Sequence, residues 1–504
     1  MSTNWTANQQ KAIDIRNTNT LVSAAAGSGK TAVLVERVIK IITDEKNPVH
    51  INDLLVATFT NAAAAEMRER IYSALQKKIE QFPESSFLRQ QLVLLGQAQI
   101  TTVHSFCINL LRENFHRIGI RHDFDIADDI RLNSMKNTAM ETVFENHYAQ
   151  SDVKFLKTVD AFGGKKSDTD LVDIILKLSL FCDSLAYPDK WLEECCTGGK
   201  NISEYRNFVD ASLKESLGNI ISEYEKAIEC IKNDEGILPY LPMYVEEYDG
   251  FKKLFENFDN RKIAENVIDK ITFSRLGAKK KTAQEDNVAY VKRVRTDANK
   301  EFKNIKEMYL YSDEKIVEEL KLMNPFVETL CTLTLEFREE YQRLKAEENV
   351  MDFADLEHFS IRLLDENEDV RTSLKNKYVE ILVDEYQDTN AVQAHLFELL
   401  SNGNNLFMVG DVKQSIYSFR NSNPAFFVEK YTNFDFDGND EGTKILLSQN
   451  FRSSNGVLGF VNSIFSKIMY FLVYFCECMP LLTQHSAKHP PTCTQNQCCN
   501  HVSG

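Results

Sequence analysis

The sequence predicts an α/β fold, in which a parallel β-sheet carries a phosphate-binding loop and a large helical domain is inserted into the chain. Three observations predict this fold. Short apolar runs lie near both ends of the chain, helical patterns follow most of them, and the small-residue stretch 24–31 stands between a strand and a helix. Nearly continuous apolar runs are typical of parallel strands that are buried on both faces.

Six short runs are predicted as strands because they are rich in apolar and β-branched residues. They are residues 20–23, 54–58, 100–103, 379–383, 406–409 and 445–447. Helices are predicted at 31–42 and 62–79, where apolar residues recur at helical spacing. This alternation of strands and helices predicts a doubly wound sheet.

The middle of the chain has a different pattern. Residues 123–349 are charged and helix-periodic, for example at 171–180 and 208–231, and contain few candidate strands. We therefore predict that 123–349 form a helical insert domain.

The charge balance limits the ways in which this chain can bind nucleic acid. The 504 residues contain 58 Lys and Arg against 74 Asp and Glu, a formal net charge of −16. This excludes a protein held to nucleic acid by bulk charge alone, so any such contact must be local. One stretch, 275–306, reverses the balance with ten basic and four acidic residues. Such a run is typical of a solvated helix face, and the alternative is a contact with a phosphate backbone.

Targeting signals and cysteines predict a cytoplasmic protein. Residues 1–10 lack the pattern of a secretory signal, and the apolar run 468–476 is too short to span a membrane. Of the eleven cysteines, six are scattered over 107–331 and are predicted to be reduced thiols, while five lie within the last 29 residues. The His and Cys residues there lack the paired spacing of a zinc site, so we predict a disordered tail, with metal binding as the alternative.

The stretch 24–31 is a Walker A loop with alanine at its first position. Small residues allow backbone N–H groups to surround phosphates at a helix N-terminus. Lys30 is expected to reach the β- and γ-phosphates, and the Thr31 hydroxyl to ligate Mg²⁺. The alternative is a small-residue turn. The loop residues are Ala24, Ala25, Ala26, Gly27, Ser28, Gly29, Lys30 and Thr31.

A pair of carboxylates follows the predicted strand 379–383. Asp384 is expected to hold the metal ion, and Glu385 to orient or deprotonate the attacking water. Two acids after an apolar run are a weak signal alone, but together with the Walker A loop they predict a site that hydrolyses nucleoside triphosphates.

The sequence around these residues resembles the motifs of UvrD/Rep-like superfamily 1 DNA helicases. Ala62, where shorter members often carry lysine, and the long helical insert are similar to AddA, the helicase–nuclease component of AddAB complexes. The resemblance covers about residues 1–467. The matching segments, in chain order, are 5–13, 24–31, 58–67, 102–106, 383–388, 409–420 and 447–453.

The resemblance implies roles for further residues, with ATP and Mg²⁺ as cofactors. Gln9 would contact the adenine edge, and Phe451 would stack on the base. Gln414 would sense the γ-phosphate, and Arg452 would act as an arginine finger. For each aromatic residue in the implied DNA contact the alternative is core packing, and segment 352–356 is assigned a structural role. The implied DNA-binding residues are Phe59, Thr60, Asn61, His104, Tyr417, Phe419 and Arg420.

The resemblance also implies a domain organisation. Residues 1–122 and 350–445 would form a discontinuous RecA-like ATP-binding motor domain, 123–349 the helical insert, and 446–467 the start of an incomplete second motor domain. Residues 468–504 would be an unrelated tail. We therefore expect a truncated or frame-shifted chain, in which strand 445–447 has little to pack against.

The implied activity is ATP-dependent DNA unwinding with 3′ to 5′ translocation on single-stranded DNA during double-strand-break repair and recombination, impaired in this chain. The implied partners are single- and double-stranded DNA and an AddB-like subunit, with no membrane contact. One alternative is an ATP- and DNA-binding fragment without helicase activity. Another is a P-loop ATPase that acts on protein partners and does not respond to DNA.

Overall fold

The computed structural model describes residues 5–44, 46–164, 167–198, 202–417 and 422–476. The strands are Thr20–Ala24 (β1), Leu54–Thr58 (β2), Gln99–Thr102 (β3), Asp125–Ile126 (β4), Val350–Met351 (β5), Glu380–Val383 (β6), Leu406–Gly410 (β7) and Thr443–Leu447 (β8). The helices are Ala7–Asp14 (α1), Lys30–Ile42 (α2), Asn61–Gln81 (α3), Ser86–Leu94 (α4), Val103–Asn114 (α5), Asp129–Gln150 (α6), Val153–Phe162 (α7), Thr169–Cys182 (α8), Pro188–Gly198 (α9), Ile202–Lys232 (α10), Leu241–Glu256 (α11), Arg261–Ile268 (α12), Glu285–Tyr309 (α13), Asp313–Glu347 (α14), Phe353–Glu366 (α15), Glu368–Lys377 (α16), Ala391–Leu400 (α17), Ala425–Asn433 (α18) and Asn455–Cys476 (α19).

The main sheet contains six strands in the order β3-β2-β6-β7-β1-β8, and every pairing is parallel. All six runs predicted from the sequence form these strands, and the α/β prediction is confirmed. Because the strands are parallel, their carboxyl ends meet at one edge of the sheet, where ligands bind in folds of this class.

Apolar residues cover both faces of this sheet. Along β6, Ile381 and Val383 belong to one buried cluster, packed with residues of α5, α15 and α17, while Leu382 belongs to the other, packed with residues of α1, α2 and α3. The alternation follows from the period of two in a strand. Burial on both faces explains why the strands are continuous apolar runs rather than alternating ones.

The expectation that strand 445–447 has little to pack against is wrong. Strand β8 pairs with β1 over its whole length, and Ile445 and Leu447 are buried in the same cluster as Val22. The first two residues assigned to a second motor domain, Leu446 and Leu447, therefore lie in the six-stranded sheet. The pairing joins positions more than 400 residues apart, so the local sequence did not reveal it.

The described chain divides into two compact units. One contains residues up to Glu193 together with Thr329–Val457, and the other contains Glu194–Glu328 and residues from 458. The second unit has its own core, formed by residues of α10, α11, α12 and α13. Within the first unit, residues of α6, α7, α8 and α14 form a further helical cluster.

A short parallel pair, β4 with β5, lies where the chain enters and leaves the predicted insert. The Asn349 side chain donates to the carbonyl oxygen of Asp123 at 2.9 Å, which joins the two predicted insert limits directly. The predicted domain limits themselves stay predictions.

The C-terminal region is described as far as Cys476. Residues 468–476, predicted as part of a disordered tail, belong to α19, consistent with a run that contains neither glycine nor proline. Residues 477–504, and with them the rest of the tail prediction, lie outside the described residues. Within the described part of the chain, no helix is long and apolar enough to cross a membrane. None of the six scattered cysteines forms a disulfide bond with another described residue.

Candidate functional site

The phosphate-binding loop connects β1 to the first residue of α2. Gly27 and Gly29 adopt left-handed conformations, with φ of 73° and 83°, which favour glycine because a Cβ would be strained there. Gly29 is the residue that precedes α2, so the loop ends at the helix N-terminus. The backbone therefore has the curvature that a phosphate cradle requires.

A segment that follows β8 lies directly over this loop. The backbone N–H of Phe451 donates to the Gly27 carbonyl oxygen at 2.8 Å, and the Asn450 side chain donates to the Ala26 carbonyl oxygen, also at 2.8 Å. A Cβ on Gly27 would lie 2.9 Å from the Cβ of Arg452. The predicted arginine finger and the predicted base-stacking residue therefore begin within contact distance of the loop.

A cavity of about 190 Å³ lies beside the loop, lined by residues that include Gln9, Ser28, Gln449 and Phe451. The Gln9 side chain donates to the Ser28 carbonyl oxygen at 3.0 Å. Gln9 also accepts from the backbone N–H of Thr6 in a capping box that begins α1. The capping box holds the Gln9 side chain on the wall of a cavity next to the phosphate loop. This is the position expected of a residue that contacts adenine.

The two predicted catalytic segments meet at an ion pair. Nζ of Lys30, the first residue of α2, lies 3.1 Å from Oε2 of Glu385, which follows β6. Glu385 has a φ of 52°, a left-handed conformation that is uncommon for a residue other than glycine. Such outliers concentrate at functional sites because the surrounding structure must maintain them.

Asp384 lies beside this pair. Burial, together with the negative charge of Glu385, raises the pKa of Asp384 to about 6, although the Lys30 ammonium opposes the shift. Its Oδ1 accepts a hydrogen bond from the backbone N–H of Glu385 at 3.1 Å. A carboxylate that is held partly out of water next to a second carboxylate is expected to favour a bound cation.

Hydrogen bonds connect the end of β6 to the end of β7. The Gln387 side chain donates to Oε2 of Glu385 at 2.8 Å and accepts from the backbone N–H of Asp411 at 2.9 Å. Oδ2 of Asp411 accepts from the side chain of Gln414 at 2.6 Å. Gln414, the predicted γ-phosphate sensor, is therefore joined to Glu385 through two intervening residues.

The predicted DNA-binding residues that the structure describes lie at the same sheet edge. The rings of Phe59 and Tyr417 are 4.7 Å apart, after β2 and β7 respectively. Thr60 precedes α3 as its N-cap and accepts from the backbone N–H of Ala63, while Asn61 is the first residue of that helix. Phe419 and Arg420 lie outside the described residues.

His104 lies at the start of α5 and is held by Glu357, whose Oε1 is 3.2 Å from its Nε2. Its ring is 4.8 Å from the ring of Phe353, which is 57% exposed. Phe353 was missed as a candidate, because segment 352–356 was expected to be structural. One feature of the sequence could have indicated it. Phe353 is the first residue of a helix, a position at which an aromatic side chain can remain outside the core.

A family profile described as UvrD/REP helicase N-terminal domain matches residues 5–435 of the sequence. The chain belongs to the UvrD/Rep helicase family. The matched region includes the P-loop, the carboxylate pair and the residues after β7, so these family motifs lie together at one edge of the sheet. The family resemblance stated from the sequence is confirmed.

Among the relatives of this UvrD/Rep-family chain are bacterial proteins named as the A subunit of an ATP-dependent helicase/nuclease. One from Thermoanaerobacter sp. (strain X514) is 42% identical over 491 residues, which cover 93% of this chain and 40% of the relative. One from Clostridium beijerinckii is 41% identical, with 93% and 39% covered. One from Acetivibrio thermocellus is 38% identical, also with 93% and 39% covered. The chain spans about 40% of the length of the curated relatives that it matches.

The residues at this UvrD/Rep-family site fit a magnesium nucleotide. Mg²⁺ prefers oxygen ligands and is usually held by one or two protein groups and the substrate phosphates. The Thr31 hydroxyl and the Asp384 carboxylate supply such oxygens, and Oγ of Ser28, buried in the loop, has no hydrogen-bond partner within the described chain. No group of three or more His, Cys, Asp or Glu residues forms an all-protein metal site in the described ranges.

Proposed function

We propose that this chain is the ATP-binding motor portion of a DNA helicase that hydrolyses Mg²⁺–ATP and translocates 3′ to 5′ on single-stranded DNA in double-strand-break repair and recombination. One observation carries the proposal. Lys30 and Glu385 form an ion pair 3.1 Å long at the mouth of the phosphate loop, where the phosphates of a nucleotide would lie. Polarity and repair pathway rest on the family resemblance.

The roles of the nucleotide-binding residues follow from this geometry. Lys30 would leave Glu385 to contact the phosphates, and Glu385 would then act on water. Thr31 and Asp384 would hold Mg²⁺, which neutralises charge on the phosphate oxygens. Gln9 and Phe451 would bind the base from the cavity wall, since both line the same cavity.

Two further residues would act in the transition state. The Cβ of Arg452 lies over the phosphate loop, and its guanidinium group would supply positive charge to the transferring phosphoryl group. Gln414, which is connected to Glu385 through Asp411 and Gln387, would respond to the γ-phosphate.

Single-stranded DNA would cross the carboxyl edge of the sheet on a platform formed by Phe59, Tyr417, His104 and Phe353. Stacking suits a motor that moves over any sequence, because every base presents an aromatic face. Thr60 and Asn61 would contact the strand beside these rings. Phe419 and Arg420, which lie outside the described residues, would contact DNA by the family resemblance alone.

The basic stretch supports a second DNA contact in the helical unit. On α13, Lys292, Arg293, Lys300 and Lys303 are exposed, and none has an ion-pair partner among the described residues. At 1.5 Å per residue, they span about 16 Å of one helix face. Such a face would contact a phosphate backbone in a salt-dependent manner, despite the overall acidic charge.

By the same resemblance, the partners would be single- and double-stranded DNA and an AddB-like subunit, while the location would be the cytoplasm. These assignments concern the longer proteins that the relatives represent. For this chain they are proposals.

Two substitutions test the proposed chemistry. Lys30→Ala should abolish binding of a fluorescent ATP analogue, and Glu385→Gln should retain binding while reducing hydrolysis by about 10²-fold to 10⁴-fold. The measurements are nucleotide titration and phosphate release, each with and without single-stranded DNA. Unchanged hydrolysis in Glu385→Gln would contradict the assignment of the carboxylate.

A second candidate is an ATP- and DNA-binding fragment without helicase activity. The observation that favours it is that the described residues contain one six-stranded parallel sheet, whereas the family resemblance implies two motor domains with ATP between them. We expect weak hydrolysis and no unwinding from the isolated 504-residue chain. Robust strand separation would exclude this candidate. ATP hydrolysis without any response to single-stranded DNA would instead favour a P-loop ATPase that acts on protein partners.

A further inference from the structure

Gln387 is a buried glutamine between the two catalytic segments. It lies in the short 3₁₀ turn Tyr386–Asp388 after β6, and its exposed fraction is 1%. Its side-chain oxygen accepts from the backbone N–H of Asp411 at 2.9 Å, and its side-chain nitrogen donates to Oε2 of Glu385 at 2.8 Å. The side-chain nitrogen also donates to Oδ2 of Asp388 at 3.2 Å. A backbone N–H only donates and a carboxylate only accepts, so these partners determine the orientation of the amide.

The neighbouring sequence makes room for this side chain. A Cβ on Gly410, the last residue of β7, would collide with Oε1 of Gln387 and would lie 3.0 Å from the ring of Phe427. The Ser415 hydroxyl donates to the Gln387 carbonyl oxygen at 3.3 Å. The segment after β7 is therefore attached to Gln387 at two points, one on its side chain and one on its backbone.

The same oxygen of Glu385 has two donors. Nζ of Lys30 lies 3.1 Å from Oε2, and Nε2 of Gln387 lies 2.8 Å from it. A nucleotide that draws the Lys30 ammonium towards its phosphates would remove one donor and leave the Gln387 amide. A movement of the carboxylate would then pull on the amide, whose other end holds the backbone of Asp411.

From Asp411 the connection continues towards the DNA platform. Asp411 accepts from the Gln414 side chain at 2.6 Å, and three residues later Tyr417 packs against Phe59 at 4.7 Å. The connection therefore runs from Glu385 to the aromatic pair at the carboxyl ends of β2 and β7. It consists of hydrogen bonds, three residues of backbone and one ring contact, all within one compact unit.

We propose that Gln387 is a positioning residue that couples nucleotide binding to single-stranded DNA binding, by connecting Glu385 to the backbone of Asp411. This inference rests on the proposed function. It assigns the coupling to a residue that touches neither ligand. Because coupling between two ligands is reciprocal, it is measurable by binding alone and does not require turnover.

The test is a thermodynamic cycle on the full chain with two variants. Gln387→Met removes the three side-chain hydrogen bonds, to Asp411, Glu385 and Asp388, at similar volume. Gln387→Glu keeps the acceptor for Asp411 but removes the donor to Glu385 and Asp388. This second variant provides the test if Gln387→Met does not fold. The cycle measures the Kd of a non-hydrolysable fluorescent ATP analogue with Mg²⁺, with and without an oligothymidine strand, and the Kd of the strand with and without the analogue.

Gln91 provides a matched control. It is also a fully buried glutamine, its oxygen accepts from the backbone N–H of Ile51 at 2.9 Å, and its nitrogen lies 3.0 Å from Nδ1 of His50. It lies in α4, outside the site. Gln91→Met should therefore lose stability as any buried amide substitution does, with no effect on the cycle.

We expect the unsubstituted chain and Gln91→Met to show a coupling factor of at least about 5. In Gln387→Met and Gln387→Glu the factor should fall to about 1, while each Kd measured alone changes by less than about threefold. The inference is overturned if the Gln387 variants retain the factor, if they lose binding of either single ligand, or if the unsubstituted chain binds both ligands without coupling. If the unsubstituted chain binds neither ligand, the proposed function fails as well, which distinguishes the two failures.

Discussion

Two ion pairs join the same helix, α2, to the two ends of the segment that contains β6, and they differ in burial, in partners and in backbone conformation. At the amino end of the strand, Arg37 is fully buried, donates to Glu380 at 3.0 Å and to the Ala12 carbonyl oxygen at 2.6 Å, and stacks 4.0 Å over the ring of Phe407. At the carboxyl end, Lys30 meets Glu385, whose side chain is 38% exposed and whose backbone is left-handed.

This difference separates a structural pair from a functional one. Arg37 has a protein partner for each part of its guanidinium group, so moving it would leave buried charge uncompensated. The Glu385 side chain is 38% exposed, so it can exchange Lys30 for water or a ligand at lower cost, although the Lys30 side chain itself is only 12% exposed. The residue types alone, a base on a helix and an acid on a strand, do not distinguish the two.

The largest expected effect is on stability. Arg37→Met should lower the free energy of unfolding by about 3 to 5 kcal/mol, because it leaves Glu380 buried without its partner. Lys30→Met should lower it by less, about 1 kcal/mol, because Glu385 is 38% exposed to water and keeps a second donor in the Gln387 side chain. Urea denaturation followed by circular dichroism measures both. Equal destabilisation by the two variants would show that the contrast between the pairs is wrong.

Nucleotide affinity should show the reverse order. Lys30→Met should weaken binding of an ATP analogue by roughly 100-fold, because a charged contact to phosphate is lost. Under conditions in which Arg37→Met is folded, its Kd for the analogue should remain within about threefold of that of the unsubstituted chain, because distant sites act independently. Titration of a fluorescent analogue measures both values. A large loss in Arg37→Met would mean that the buried pair also shapes the nucleotide pocket.

Aromatic rings at the two ends of the sheet provide the next test. Phe407 is buried beneath Arg37, whereas Phe353 is 57% exposed and Phe59 lies against Tyr417. Phe59→Ala and Phe353→Ala should each weaken oligothymidine binding by about 1 to 3 kcal/mol, the range for one base stacked on an aromatic ring. Fluorescence anisotropy at fixed salt measures the affinity.

Phe82→Ala is the control for these two variants. Phe82 is 59% exposed but follows the last residue of α3, about 30 Å along that helix from Asn61. It should leave DNA affinity unchanged. An equal loss in Phe82→Ala would indicate a non-specific effect of removing surface rings.

A gain in stability is expected at the functional end. The pKa of Asp384 is raised to about 6 from an ordinary value near 3.8, first by burial and then by Glu385. The folded state therefore binds a proton more readily than the unfolded state, so the carboxylate begins to cost stability near pH 4 and does so fully above about pH 6. Asp384→Asn should raise the free energy of unfolding at pH 7.5 by up to about 3 kcal/mol.

The gain in Asp384→Asn should vanish near pH 4, where the carboxyl of the unsubstituted protein is already neutral in the folded state. The amide oxygen still accepts from the Glu385 backbone, so this hydrogen bond is retained. Denaturation curves at the two pH values provide the measurement. A variant that is less stable at pH 7.5 would contradict the assignment of an unfavourable charge to this carboxylate.

The features predicted correctly from the sequence are those that a short segment determines. The loop around Lys30 and Thr31 follows from small residues between a strand and a helix. All six strands follow from apolar runs. The carboxylate pair Asp384 and Glu385 is recognised because it ends one of these strands.

The features that were missed depend on partners far along the chain. Phe353 joins the candidate DNA platform only because its ring meets His104, about 250 residues earlier. Strand β8 was correctly predicted, but its pairing with β1 was not. The roles of Gln387 and Arg37 depend on contacts that form only in the folded chain, with Asp411 and with Glu380 respectively.

The short connection between β8 and the residues over the phosphate loop restricts how far those residues can travel. Strand β8 ends at Leu447, which is hydrogen-bonded through its carbonyl oxygen to Ala25, and Arg452 follows five residues later. Fully extended, five residues reach about 17 Å. Whatever follows Arg452 in longer relatives, this arginine can therefore lie no more than about 17 Å from the end of β8. Strand β8 is the neighbour of β1, which leads into the phosphate loop.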